Sequence, residues 1–210
     1  MKPLSALALA APLTFAAMHA APAHAADGPW AYGIGGGLAA PYTPISSEEF
    51  GPGWSWNTTV VRWLKPSLGL RGSANWIHHG RSPGISQIPE NTPATLNQHS
   101  DYFPVALGLR WVPDHERRLF FDVSPSVVLS RWHQEFNQDL LHWESNLTSA
   151  QPGVELGIGA MLSHDPGFNP EISVHYLAAT APNVPTEWFG GRKLQSVSQW
   201  TVGLNMSWRP

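Results

Sequence analysis

From Trp200 to Trp208 the chain alternates without a break: Trp200, Val202, Leu204, Met206 and Trp208 are apolar, while Thr201, Gly203, Asn205 and Ser207 are small or polar. A period of two belongs to an extended strand, whose successive side chains point to opposite faces. The pattern recurs along the chain. Val154, Leu156, Ile158, Ala160 and Leu162 alternate with Glu155, Gly157, Gly159 and Met161. Leu119, Phe121, Val123, Val127 and Leu129 alternate with Asp122, Ser124, Ser126 and Ser130, and Leu68, Leu70, Ala74 and Trp76 with Arg71, Ser73 and Asn75. In all, eight segments read as strands, at about 30–39, 52–63, 66–78, 100–111, 119–132, 152–163, 170–179 and 196–208. In the second, Trp54, Trp56 and Val60 share one face while Val61 and Trp63 fall on the other, which predicts a bulge or register change near Thr58–Val60.

The connections alternate in length. Long ones (40–51, 79–99, 133–151, 180–195) are separated by short ones (around Lys65–Pro66, 112–118, 164–169). A soluble sandwich or barrel has no physical reason to sort its loops in this way, whereas a transmembrane barrel keeps short turns on one side of the bilayer and long loops on the other. Each segment is about as long as a tilted transmembrane strand, roughly 9–11 residues. Aromatic residues gather at the segment ends, with Trp30, Trp63, Trp111, Phe121 and Trp208 at the short-turn end. Trp54, Trp56, Trp76, Tyr102, Phe103, Trp132 and Trp200 gather at the long-loop end. Two such girdles are expected where amphipathic rings meet two headgroup regions.

Composition agrees. Charged residues make up 13% of the chain, about half the usual share in soluble domains, and there are 11 tryptophans. The 20 prolines and 19 glycines, scattered throughout, disfavour long helices. At the N-terminus Lys2, the apolar run Leu4 to Met18 and the small-x-small site Ala23-His24-Ala25 form a tripartite export signal, too short in its apolar part to span a bilayer. Residues 1–25 are therefore expected to be cleaved near Ala25, leaving residues 26–210 as one barrel domain. With Lys2 gone, 11 basic side chains face 15 acidic ones, and no basic run suggests a nucleic-acid partner. No cysteine is present to carry a lipid anchor or a disulfide.

The expected fold is thus an all-β, eight-stranded, antiparallel up-and-down transmembrane barrel. The last strand resembles the terminal assembly signal of bacterial outer-membrane proteins, with Thr201 as its polar position, Gly203 as its glycine, Met206 as its hydrophobic position and Trp208 as its final aromatic. The resemblance implies recognition by the barrel-assembly machinery. The whole layout is similar to the small outer-membrane barrels that include OmpA transmembrane domains and the OmpX- and Ail-type proteins. That likeness implies residence in the outer membrane among its lipids and lipopolysaccharide, and it fixes no activity, because one fold hosts many functions.

Five charged residues, Arg71, Arg110, Asp122, Glu155 and Glu171, fall inside the segments on the face opposite the apolar one. On a lipid face each would cost about 2–4 kcal/mol near the midplane. A lumen network of two arginines and three carboxylates is expected, with Gly33, Gly35, Gly37, Gly157 and Gly159 making room for it.

Catalytic signals are weak. His175-Tyr176-Leu177 resembles the His-x-Ser of lipid A deacylases but carries leucine at the nucleophile. His99-Ser100-Asp101 has acyltransferase-type residues, yet neighbours on one strand cannot all face one substrate. His78, His79, His99, His133 and His142 lie toward the long-loop end without the spacing that fixes a metal site. No catalytic residue, metal or cofactor is assigned. Within 134–148, Phe136, Leu140, Trp143 and Leu147 have helix-like spacing that fits either a short amphipathic helix or strand ends rising above the membrane. Phe136 and Trp143 are the expected outer contacts for an unknown surface ligand. The expected function is non-enzymatic, structural or surface-binding. A lipid-modifying enzyme of the outer leaflet and a small pore are the alternatives.

Overall fold

The computed structural model describes residues 30–42, 51–80, 94–113, 118–138, 141–163, 167–181 and 196–209. Eight strands form one closed antiparallel barrel in sequence order: β1 (Trp30–Pro41), β2 (Gly53–Lys65), β3 (Leu68–Gly80), β4 (Ala94–Trp111), β5 (Leu119–Gln138), β6 (Leu141–Met161), β7 (Phe168–Thr180) and β8 (Ser196–Trp208). Closure comes from β1 pairing with β8, from Tyr32↔Trp208 to Pro41↔Gln199. A closed sheet leaves no unpaired edge, which is what a bilayer without water demands of a spanning β-structure. No helix among the described residues is long and apolar enough to cross a membrane, so the crossing is made by strands.

The alternation read in the sequence sets the two faces. Along β8, Trp200, Val202, Leu204 and Met206 are exposed while Asn205 between them is buried. Along β6, Val154, Leu156 and Ile158 are exposed and Glu155 is 2% exposed. The barrel therefore wears its aliphatic side chains outside, the inverse of a soluble protein. Outward-facing charges within the strands fall at the two ends: Arg62 and Lys65 at the short-turn end, and Asp101, Arg131, Glu135 and Glu144 at the other. The band between them is apolar. Arg62 lies over the Trp30 ring at 5.5 Å, where a guanidinium can reach headgroup water while its stem stays against the aromatic surface.

Three expectations are corrected. No bulge lies at Thr58–Val60: β2 and β3 stay in register from Trp54↔His78 to Trp63↔Gly69, and the shift falls between Trp63 and Lys65, just before the turn. Val61 faces inward because the lumen is itself apolar at this end, where Val112 and Phe120 are also buried. Trp63, Tyr102 and Trp132 belong to no girdle: Trp63 stands on an inward-facing position of β2, and Tyr102 and Trp132 are 2% and 0% exposed and pack edge-to-face inside the barrel at 5.8 Å. Finally, 133–151 is no loop. β5 and β6 pair continuously from Leu119↔Ala160 to Gln138↔Leu141, so the strand-end alternative holds for this segment and the helical one does not.

The wall is consequently uneven. From Phe103 to the short-turn end, β4 is long enough to cross the bilayer, and it continues outward to Ala94. At roughly 3.3 Å per residue with strands tilted by about 40°, β4, β5 and β6 rise on the order of 20 Å beyond the apolar band.

Candidate functional site

The lumen is filled in two storeys. The lower holds the charged residues. Arg110 donates from Nε and Nη2 to the two oxygens of Asp122 at 2.9 and 3.0 Å, and from Nη1 to Glu171 at 3.0 and 3.1 Å. Arg71 donates from Nη1 to Glu155 at 2.8 Å and holds Asp122 at 3.3 Å through Nε. Asp122 is thus shared by both guanidinium groups. The sequence places Arg110 and Asp122 on neighbouring strands at directly paired positions. The Arg71–Glu155 contact instead crosses the interior from β3 to β6.

Side chains that sequence reasoning did not single out complete the cluster. His175 Nδ1 lies 3.1 Å from Glu155, Asn75 donates to Glu155 at 3.1 Å, and Ser207 donates to Glu171 at 3.0 Å. The Arg110 guanidinium also stacks 3.9 Å above the Phe120 ring. The inward parity of His175 was legible, but its partner depended on strand stagger. Gly157 faces the same cluster: a Cβ there would meet the His175 ring at 2.6 Å and Asp122 Cβ at 3.2 Å, so only glycine leaves these groups their places. Above the charges a cavity of about 20 Å³ remains beside Arg71, Asn75, His175 and Asn205, enough for about one water.

The upper storey is apolar and aromatic. Ala39, Ile77, Tyr102, Val128, Trp132, Leu177, Ala179 and Val197 form one buried cluster. His79 stands beside Tyr102 with ring centroids 6.0 Å apart and shares a hydrogen bond of 2.8 Å with Gln199. Gln151 donates to Ser130 at 3.1 Å at this same level, and Gln98 and Gln134 are buried farther up.

Outside, at the long-loop end, the aromatic girdle passes into a polar strip. Trp54 and Trp76 pack edge-to-face at 4.6 Å, and Trp76 stacks on Phe103 at 6.1 Å. Just above, Asp101 accepts from Trp76 Nε1 at 3.1 Å and lies 2.8 Å from His78 Nδ1. His78, His99 and His133 then form a ladder across β3, β4 and β5, with ring centroids 5.7 and 4.5 Å apart. His99 lies beyond the girdle, outside the bilayer-spanning part of β4. Its burial, followed by the neighbouring His133, lowers its pKa below the ordinary histidine value. His142 is exposed on β6, while His79 turns into the lumen. No three of these side chains converge as a metal site among the described residues.

The enzyme-like motifs separate in space. Ser100 is 0% exposed and points into the lumen, away from the outward-facing His99 and Asp101. His175 and Leu177 both line the interior. Phe136 and Trp143 are directly paired backbone positions near the tip of the β5–β6 hairpin. On β8, Thr201 and Gly203 sit on the inner face and Met206 on the outer, paired on either side with β7 and β1. Residues 1–25 lie outside the described residues.

Closed antiparallel wall, apolar exterior band, charged filled interior: these define a small transmembrane β-barrel. No family model matches the sequence, and no curated protein sequence matches it. Among solved structures the chain is similar to a major outer membrane protein from Thermus thermophilus, with 11% identity and a TM-score of 0.51 over 88% of this chain and 99% of that one. It also aligns with Neisserial surface protein A at 12% identity and a TM-score of 0.48, over 86% of this chain and 97% of that one. Ail, the attachment invasion locus protein of Yersinia pestis, aligns at 12% identity and 0.49, over 85% and 97%. At such identities the likeness concerns the fold.

Proposed function

We propose that this chain is an exported, non-enzymatic protein of the bacterial outer membrane that acts through its outer surface. The observation that carries the reading is the doubly filled lumen. A charged cluster and an aromatic cluster succeed each other along the barrel axis, and Phe120, Val128 and Trp132 are each 0% exposed. Eight strands enclose a space that side chains can fill, and here they fill it. With Tyr102, Val128 and Trp132 packed together across the lumen on the long-loop side, what the protein offers on that side is its exterior. Among the described residues that exterior rises farthest along β4–β6, with Phe136 and Trp143 near the hairpin tip as contacts for a ligand.

The remaining parts of the reading follow from the sequence. Residues 1–25 serve as a signal peptide cleaved near Ala25. Thr201, Gly203, Met206 and Trp208 are the signal for the barrel-assembly machinery. The Arg71, Arg110, Asp122, Glu155 and Glu171 cluster is structural. Outer-leaflet lipid and lipopolysaccharide surround the wall.

The test is a reconstitution of the purified barrel in planar bilayers, paired with mass spectrometry of lipid A from cells with and without the protein. The reading expects no steady conductance and unchanged lipid A. Ion-selective conductance would promote the pore, and a lost or gained acyl chain would promote a lipid-modifying enzyme.

A further inference from the structure

Below the charged cluster, at the short-turn mouth, the lumen opens into a cavity of about 210 Å³ whose lining is rich in hydrogen-bond donors. Among the described residues Arg110, Arg118 and Arg209 all contribute to it, against a single carboxylate, Glu171. Arg110 is already engaged by Asp122 and Glu171, and Glu171 additionally by Ser207. Arg118 has no carboxylate partner among the described residues, and Arg209 is attracted only by Glu171, the carboxylate that Arg110 and Ser207 already hold. They approach from different arcs of the wall, Arg118 ahead of β5 and Arg209 just after β8. Arg209 is held by the Trp63 ring, 5.0 Å from its guanidinium carbon.

Two further observations mark the cavity as built. Trp63 Nε1, on the lining, is buried without a hydrogen-bond partner among the described residues. A buried donor left unmade is costly, and an acceptor in the cavity would satisfy it. Arg118 also holds a left-handed backbone conformation, φ 54°, which glycine or asparagine adopts more readily.

We propose that this mouth is a binding site for a small anion of phosphate type, taken from the aqueous side opposite the long loops. Three arginines and an unpartnered indole N–H on one lining suit an anion with several oxygens better than a planar carboxylate with two. Trp63, Glu171 and Ser207 stand on inward-facing positions of their strands, so the site belongs to the lumen and not to the lipid-facing wall. A free phosphate reaches it directly, whereas a lipid headgroup has to fold in over the rim.

The experiment uses the full mature barrel in a non-ionic detergent, with heat-modifiable migration confirming that each variant is folded. Inorganic phosphate is titrated while the Trp63 indole N–H resonance is followed by NMR, assigned through Trp63→Phe. Chloride at matched ionic strength is the control. A parallel arm compares nanodiscs of phosphatidylglycerol with nanodiscs of phosphatidylcholine. The expected result is a saturable shift with phosphate that chloride does not reproduce, weakened about tenfold or more in Arg118→Gln and in Arg209→Gln. The same shift in the phosphatidylglycerol arm alone would keep the site and assign its phosphate to a lipid. Absence of a saturable shift in both arms, or shifts that persist unchanged in the Arg118→Gln/Arg209→Gln double variant, would overturn the proposal.

Discussion

Replacing Arg110 by alanine is the most informative single change to the lumen. The side chain makes four contacts of 2.9–3.1 Å to two carboxylates. Without it Glu171 keeps the Ser207 hydroxyl and the attraction of Arg209, and Asp122 keeps Arg71 at 3.3 Å and the attraction of His175. The cluster passes from two guanidinium groups against three carboxylates to one against three. Breaking a buried pair in this way typically costs about 3–5 kcal/mol. The cavity at the short-turn mouth borders Arg110 and Glu171, so water can enter the space left behind, and the expected loss is at the lower end, about 3 kcal/mol. Adding Asp122→Asn restores the original excess of one carboxylate and should recover about 1–2 kcal/mol, the coupling expected of groups in direct contact. Reversible urea unfolding in lipid vesicles, followed by tryptophan fluorescence and by the gel shift of the folded barrel, gives both numbers. A loss under about 1 kcal/mol for Arg110→Ala, or strictly additive losses in the double variant, would refute the picture of a buried, mutually coupled cluster.

Other sites separate the two faces. Leu156→Arg places a charge at mid-strand on the lipid side and should cost about 2–4 kcal/mol in the same assay, whereas tolerance would mean that this face does not meet lipid. Gly157→Ser, one residue along, should cost about 1–3 kcal/mol by crowding His175 away from Glu155. Gly72→Ala is the control: a Cβ there meets nothing within 4 Å, and its effect should stay within about 0.5 kcal/mol. His99 has a lowered folded-state pKa, so its contribution to stability is complete above the unfolded-state value and falls away as the pH drops from there through the folded value. In an NMR titration His133→Asn should move the His99 midpoint part of the way back up, leaving the part due to burial. An unchanged midpoint would show that the stacked pair is electrostatically silent.

The fold was legible because a bilayer outside and a crowded lumen inside impose opposite chemistry on alternate residues, and β6 and β8 show this almost without exception. Legibility failed where that contrast weakens. Val61 interrupts the pattern because the lumen is apolar at the short-turn end as well, so an inward valine looks like a change of register. Trp132 has the same parity as Ser126 and Ser130 and could have been placed inside on that ground. Its chemical type suggested a girdle instead. From Gln134 to Ser149 both faces of the hairpin lie beyond the bilayer, neither face needs to be apolar, and the period-two signal that identifies a strand disappears. Within the cluster, parity puts all five charges on one face, but which carboxylate meets Arg71 depends on the stagger of strands far apart in sequence.

The inverted barrel also has an energetic problem that its lumen answers. In a soluble domain apolar burial draws the walls together, whereas here the apolar side chains are spent on lipid and contribute little to closing the interior. Across the lower storey the ties are accordingly polar. Arg71 joins β3 to β6, Arg110 joins β4 to β7, and His175 on β7 meets the same Glu155 that Arg71 holds. Neighbouring strands add shorter ties, Asn205 to Ser173 and Ser207 to Glu171, while His79 reaches from β3 to Gln199 on β8. Such ties are directional and each must be satisfied, so they favour one arrangement of the wall over its slipped alternatives. The aromatic storey above them then closes the end that faces the long loops. A lumen organised in this way supports a rigid stave of strands, from which the paired strands β4, β5 and β6 continue beyond the apolar band.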